Sequence, residues 1–173
     1  AGTGSEVTPV AVITTGETTK AGISATALLP DVAILDAELT VGLPPHVTAM
    51  TGIDAMVHAI EAYTSKIKKN PISDMLSRQA LKLLACNQRR VLSHPTDLQA
   101  REAMLLGATL AGQAFANAPV AAVHALAYPL GGHYHVPHGL SNALMLPSVL
   151  RFNAVASEAQ YLELATLLPK PLT

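Results

Sequence analysis

The stretch from residue 103 to residue 150 contains no Asp, Glu, Lys or Arg. About 20 consecutive apolar residues suffice to cross a bilayer, so an uncharged stretch of this length either spans a membrane or lies inside a protein core. Polar and helix-breaking residues interrupt it, among them Gln113, Asn117, His124 and Pro129. Such groups are costly in hydrocarbon unless they are paired. We therefore expect helices that are buried in a helical domain, and no membrane span.

The overall composition argues against two further classes of protein. Half of the 173 residues are apolar, 13% are charged and the formal net charge is -1. This composition does not match intrinsic disorder, and the scattered basic residues do not form the charged cluster that nucleic-acid binding needs. Cys86 is the only cysteine, which fits a reducing compartment, and no signal-peptide pattern opens the chain. We expect a cytoplasmic protein that does not bind nucleic acid.

The pattern of apolar residues changes between Gly42 and Pro45. Before this point the residue types predict strands at 7–14 and 32–35, separated by a turn at 16–22. After it, apolar residues recur at helical spacing and predict helices at 46–63, 72–92, 98–117, 120–130 and 138–152, with a sixth from near Ser157. Gly131-Gly132 predicts a turn after the fourth helix. We expect two domains, an incomplete strand-containing one at 1–43 and a mainly helical one at 44–173.

Several imidazoles and one carboxylate are placed as metal ligands often are. Asp54 and His58 are four residues apart, which puts both side chains on one face of the first predicted helix. Taken alone, this spacing is more often an Asp–His surface pair than a metal site. His124 lies in an apolar segment, where an unpaired imidazole would cost about 1–3 kcal/mol. Three more histidines follow it closely: His133, His135 and His138.

One carboxylate with two or three imidazoles predicts a site for a divalent transition metal. Imidazole suits Zn, Fe, Ni and Cu, whereas Mg and Ca sites are mainly oxygen. The spacing alone does not decide which of His133, His135 and His138 would complete the site. A second candidate site is the segment at 2–6, GTGSE, whose glycines and hydroxyls could approach a phosphate or a ribose. By itself this segment is no better explained by a binding site than by an ordinary turn.

Four segments, in this order, resemble a known family: AGTGSEVTPVAVIT at 1–14, LPDVAILDAEL at 29–39, LPPHVTAMTGIDAMVHAIEAYTS at 43–65, and VHALAYPLGGHYHVPHGLSNALMLPSVLRFN at 123–153. The chain closely resembles the iron-containing (group III) alcohol dehydrogenases, which have the dehydroquinate-synthase-like fold. The resemblance implies an α/β N-terminal remnant followed by a mainly α-helical metal-binding domain. In this view residues 1–43 are the C-terminal remnant of the nucleotide-binding domain, and the helical domain at 44–173 is truncated at its C-terminus.

The resemblance assigns site residues by position. The family's metal ligands fall on Asp54, His58, His124 and His138, and the resemblance thereby selects His138 over His133 and His135 because the family pattern places the last two ligands 14 residues apart. The family's nicotinamide-cofactor contacts in this region fall on four residues: Thr3, Thr8, Lys20 and Leu39. The implied cofactors are Fe(2+), with Zn as the alternative, and NAD or NADP.

Two departures from the family pattern affect these expectations. Tyr128 stands where many members have a second histidine four residues after the first, so a proton relay would have to use Tyr128, His133 or His135 instead. The Gly-rich pyrophosphate-binding stretch of the family is absent, which predicts that this chain is the middle of a longer enzyme.

The implied activity is hydride transfer between a small alcohol or aldehyde and the nicotinamide cofactor, in an enzyme that is a homodimer at full length. Three alternatives stay open. The chain could be an inert truncated homologue that retains only the metal site. It could also be a relative of the maleylacetate reductases or of the hydroxyacid–oxoacid transhydrogenases.

Overall fold

The computed structural model describes residues 2–16 and 19–169, without the side chains of Thr14 and Lys20. Its first part contains a two-stranded antiparallel sheet in which β1 (Val10–Thr14) pairs with β2 (Lys20–Ser24). Five helices follow: α1 (Pro45–Thr64), α2 (Pro71–Ser93), α3 (Leu98–Asn117), α4 (Ala122–Tyr134) and α5 (His138–Ala165). The predicted order, a strand-containing first part and a mainly helical body, is confirmed.

The first three helices begin where the sequence supplies a proline in the first turn or a capping side chain. Pro45 and Pro71 occupy the first turns of α1 and α2, where the missing N–H has no helical partner to lose. The Asn70 side chain accepts hydrogen bonds from the backbone N–H groups of Ile72 and Ser73, and the Ser73 hydroxyl accepts one from the Asn70 backbone N–H, which completes a capping box. Asp97 caps α3 by accepting from the Ala100 backbone N–H at 3.0 Å. The predicted bounds of all three helices are confirmed to within one residue.

Three local predictions were wrong. Residues 32–35 belong to no strand, because no described strand lies beside them to form a ladder, and Val32 and Ile34 are 75% and 86% exposed. Part of the predicted turn at 16–22 belongs to β2, which begins at residue 20. Gly131 and Gly132 are buried inside α4 instead of forming a turn, because both keep negative φ angles.

The boundary predicted between two helices near Ser157 corresponds to a kink within one helix. One long helix, α5, runs through this point, but Ser157 itself has the non-helical angles φ −128° and ψ 21°. The uncharged stretch is divided among α3, α4 and α5. Among the described residues, no helix combines the length and the apolar character that crossing a bilayer would need.

Helix α1 lies at the centre of the helical body and contacts α2, α3 and α5. Its fully buried alanines, Ala55, Ala59 and Ala62, allow neighbouring helices to pack closely against it. On another face, Val57 packs with Val123 of α4 and Val149 of α5. This cluster fixes the position of α4 and α5 relative to α1, and the four predicted ligands, Asp54, His58, His124 and His138, lie on these three helices.

The segment before β1 packs on α3. Gly4 has a positive φ of 79°, and a side chain there would lie 2.2 Å from the Ala108 carbonyl oxygen. Gly112 faces it equally closely, so two glycines allow the backbones to touch. Thr109 donates a hydrogen bond from its hydroxyl to Glu6 at 2.7 Å. These contacts hold the N-terminal segment against the helical body.

Candidate metal centre

Three of the predicted ligands come from three different helices. Asp54 lies within α1, His124 is in the first turn of α4, and His138 is the first residue of α5. Asp54 and His124 are buried, at 1% and 3% exposure, while His138 is partly exposed. The positive ends of two helices are thus near the buried carboxylate, which favours its negative charge.

The ligand atoms of these three residues converge. One oxygen or nitrogen from each of Asp54, His124 and His138 lies within 4.8 Å of the other two. The Oδ1 atom of Asp54 is 3.7 Å from Nε2 of His124 and 3.5 Å from Nε2 of His138. Two ligands at about 2.1 Å from a tetrahedral cation are about 3.4 Å apart. The spacing and the donor types therefore fit one divalent transition metal.

His58 lies beside this group without joining it. Its ring is nearly parallel to that of His124, with centroids 4.7 Å apart, and it also packs on Phe115. Its Nδ1 atom is buried and has no hydrogen-bond partner, an arrangement that costs about 1–3 kcal/mol. Binding a metal would give a nitrogen of the His58 ring a partner, but neither ring nitrogen belongs to the group formed by the Asp54, His124 and His138 ligand atoms. The assignment of His58 as a fourth ligand stays a prediction.

Asn142, which the sequence reasoning missed, stands at the point of convergence. It is fully buried one turn after His138. Its Nδ2 atom donates to Oδ1 of Asp54 at 2.5 Å and lies 3.2 Å from Nε2 of His124 and 3.3 Å from Nε2 of His138. The Asn142 Oδ1 atom is buried without a hydrogen-bond partner. A cation bound to all three ligands needs this amide group to move.

Glu61 is the second residue that the sequence reasoning missed. Its carboxylate is 4% exposed and accepts a hydrogen bond from Nδ1 of His124 at 2.7 Å. It also accepts from the backbone N–H groups of Ala121 at 3.0 Å and Val123 at 2.7 Å. The only signal in the sequence is its position two turns after Asp54 on α1, which places both carboxylates on the same face.

The cluster perturbs the titration of its members. Burial lowers the pKa of His58 to about 4, an effect that the negative charge of Asp54 only partly offsets. Burial would also lower the pKa of His124, but hydrogen bonds to Asp54 and Glu61 outweigh it and raise that pKa to about 9. Burial would raise the pKa of Asp54 and Glu61, yet both are lowered because each is hydrogen-bonded to His124. Two anionic carboxylates therefore flank the His124 imidazole and stabilise its protonated form.

Comparison with known proteins identifies the family. The family model for the Fe-containing alcohol dehydrogenase family, C-terminal, matches residues 48–171, and the model for iron-containing alcohol dehydrogenase matches residues 1–37. The chain belongs to the iron-containing alcohol dehydrogenase family. It is 52% identical to long-chain-alcohol dehydrogenase 1 of Geobacillus thermodenitrificans (strain NG80-2) over 151 residues, which cover 87% of this chain and 38% of that protein.

Solved structures agree with this assignment. The crystal structure of a 1,3-propanediol oxidoreductase matches with a TM-score of 0.93 and 44% identity, over 99% of this chain and 45% of that one. A sulfoacetaldehyde reductase from Bifidobacterium kashiwanohense, solved in complex with NAD+, matches with a TM-score of 0.80 and 38% identity, over 87% of this chain and 40% of that one. The chain thus spans less than half the length of these relatives.

The three residues predicted for a proton relay differ in their exposure and in their contacts with the predicted ligands. The Tyr128 ring stacks on that of His138, with centroids 6.2 Å apart and an interplanar angle of 18°. His135 is exposed and ends α4 with a positive φ of 55°, and His133 is exposed as well. Of the three, Tyr128 is the one for which a ring contact with a predicted ligand is seen.

The residues predicted to contact the cofactor are spread along the first forty positions. The Thr8 hydroxyl is buried and donates to the Ser5 carbonyl oxygen at 3.1 Å, and the Thr3 hydroxyl donates to the Ser5 hydroxyl at 3.4 Å. Leu39 is 81% exposed, and the Lys20 side chain lies outside the described residues. These four assignments stay predictions.

Proposed function

We propose that this chain is the metal-binding part of an oxidoreductase that transfers a hydride between a small alcohol or aldehyde and NAD or NADP. The observation that carries the proposal is the convergence of Asp54, His124 and His138 from three helices on one point. Membership of the iron-containing alcohol dehydrogenase family supports the metal. The NAD+ complex of the related sulfoacetaldehyde reductase supports a nicotinamide cofactor.

In this proposal Asp54, His124 and His138 hold the cation, with His58 as the fourth ligand. Fe(2+) is the first choice because of the family, and Zn is the alternative, since imidazole and carboxylate ligands suit both. When bound, the metal would act as a Lewis acid that polarises the substrate oxygen. The hydride chemistry itself would belong to the nicotinamide cofactor, and the protein would supply position and charge.

Tyr128 is the proposed proton carrier, ahead of His135. Burial raises the pKa of Tyr128, and the negative charges of Asp54 and Glu61 add to this effect. Its hydroxyl therefore keeps its proton near neutral pH and can donate it at Oη. The ring contact with His138 supports a location at the edge of the metal centre.

The N-terminal segment is the proposed cofactor side of the cleft. Its backbone at Thr3 interacts with the His58 ring, so the segment that bears Thr3 and Thr8 borders the metal centre. Lys20 and Leu39 complete the proposed contact set. We further propose that residues 1–43 belong to the nucleotide-binding domain and 44–173 to the helical domain, in a cytoplasmic protein that is a homodimer at full length.

The metal site can be tested on the 173-residue chain itself. We expect one Fe(2+) or Zn per chain, and we expect His124→Ala and His138→Ala to abolish binding. His94→Ala is the matched control, because His94 is exposed at the end of α2. Unchanged metal content in both test variants would exclude the assigned site.

The activity is tested on the native polypeptide that carries these residues. It should reduce NAD or NADP with a small alcohol, and failure with every short-chain alcohol tested would refute the activity.

A further inference from the structure

Three N–H donors converge on the carboxylate of Glu61. Oε2 accepts from the Ala121 backbone N–H and from Nδ1 of His124, and Oε1 accepts from the Val123 backbone N–H. Ala121 is the N-cap residue of α4, and Val123 lies in its first turn. No side chain of α4 caps this helix end. Glu61, two helical turns along α1 from Asp54, thus supplies the cap from a different helix.

Only an ionised carboxylate satisfies all three donors. A carboxylate accepts at both oxygens, whereas the amide of a glutamine offers one acceptor oxygen and one N–H donor group. With the glutamine nitrogen at the Oε2 position, its N–H groups face the Ala121 N–H. With the nitrogen at the Oε1 position, they face the Val123 N–H. Each orientation leaves a backbone donor unpaired in a buried place, and the first also turns His124 Nδ1 from donor to acceptor.

The geometry points to Glu61 as a positioning residue of the metal centre, which keeps the ring proton of His124 on Nδ1 and leaves Nε2 free to bind the cation. This inference rests on the proposed function. The neutral imidazole carries a proton on one nitrogen and a lone pair on the other. Because Glu61 accepts from Nδ1, the lone pair of the neutral ring is at Nε2, the atom that lies 3.7 Å from Oδ1 of Asp54.

The same carboxylate sets the position of His124 along its helix. The three donors, on Ala121, Val123 and His124, lie within the first turn of α4 or directly before it. Their hydrogen bonds to the Glu61 carboxylate therefore fix both the backbone at the start of α4 and the His124 ring. Carboxylate partners of this kind commonly affect metal affinity by 10–100-fold. Glu61 thus couples α1, which bears Asp54, to the helix that bears His124.

The variant Glu61→Gln tests the inference, with Ser73→Ala as the matched control. Ser73 is fully buried on α2, and its loss removes the capping box and so destabilises the chain without contacting the metal centre. Zn affinity is measured for both variants and the unaltered chain by competition with a chromogenic chelator. We expect Glu61→Gln to lower Zn affinity about 10–100-fold and Ser73→Ala to leave it unchanged. Equal affinity in the two variants would overturn the inference.

A second measurement does not depend on any variant folding. Nitrogen-15 spectra of the unaltered, histidine-labelled and Zn-loaded chain report which nitrogen of His124 is protonated. We expect the proton at Nδ1, and a proton at Nε2 would contradict the inference.

The variant His124→Ala separates the inference about Glu61 from the proposed metal site. Lost Zn binding in His124→Ala with full binding in Glu61→Gln removes only the role of Glu61, whereas full Zn binding in His124→Ala removes the metal site itself.

Discussion

Replacing Gly139 by Ala tests how the start of α5 is held against α1. A Cβ atom built at Gly139 would lie 2.3 Å from the Met50 carbonyl oxygen and 2.7 Å from the carbonyl carbon. Both are backbone atoms of α1, which cannot rotate away as a flexible side chain can. The two helices must separate by about 0.7 Å before that oxygen reaches even the 3.0 Å that real Cβ contacts keep. A shift of this size at His138 would move one ligand off the common point.

We expect two effects of Gly139→Ala. Overpacking of this kind costs about 1–3 kcal/mol, which should appear as a lower free energy of unfolding in urea. Zn affinity should also fall by about tenfold or more, because His138 directly precedes the displaced residue and ligand positions tolerate little looseness. The control is Gly42→Ala, since a Cβ there meets nothing within 4 Å. If Gly139→Ala matched Gly42→Ala in both stability and Zn affinity, the close contact would not position His138.

Three further predictions concern stability. Val57→Ala should lower the free energy of unfolding by roughly 2 kcal/mol, because Val57 is fully buried against Val123 and Val149; a loss below about 0.5 kcal/mol in urea unfolding would contradict that packing. Without metal, the free energy of unfolding should peak near pH 6.5, the ordinary pKa of histidine. The lowered pKa of His58 removes stability as pH falls towards about 4, and the raised pKa of His124 removes it as pH rises through about 9. Urea midpoints measured across that range check this, and a monotonic dependence would refute it. Zn at 100 times its dissociation constant should raise the free energy of unfolding by about 2.7 kcal/mol, and chelation should reverse the gain. A free energy of unfolding that does not change with Zn would disprove binding to the native state.

The helical body could be predicted from the sequence because its signals are local. The bounds of α3 follow from an Asp cap and from apolar residues at helical spacing, and the structure agrees with them. The Pro44-Pro45 pair marks the start of α1, and Asn70-Pro71 marks the start of α2. The strand expected at 32–35 failed because a strand needs a neighbour, and an apolar run contains no information about whether one lies beside it.

The residues of the candidate metal centre were only partly predictable. The pair Asp54 and His58 has a recognisable spacing, but His138 was selected from three histidines by family resemblance and not by physics. Glu61 carried only a weak signal, its position two turns after Asp54, because a glutamate on a helix is usually solvated. Asn142 carried none, because an asparagine one turn after a histidine is unremarkable in sequence. Their partners lie on helices that are distant in the chain: Glu61 bonds to His124, and Asn142 bonds to Asp54.

The central claim is that one cation is held jointly by α1, α4 and α5. Anomalous diffraction at the metal edge, from crystals of the 173-residue chain loaded with Zn or Fe(2+), tests it most directly. We predict a single strong peak about 2.0–2.2 Å from a carboxylate oxygen of Asp54 and from Nε2 of both His124 and His138, with the Asn142 amide displaced from that point. A peak elsewhere, or one that contacts fewer than these three residues, would contradict the account.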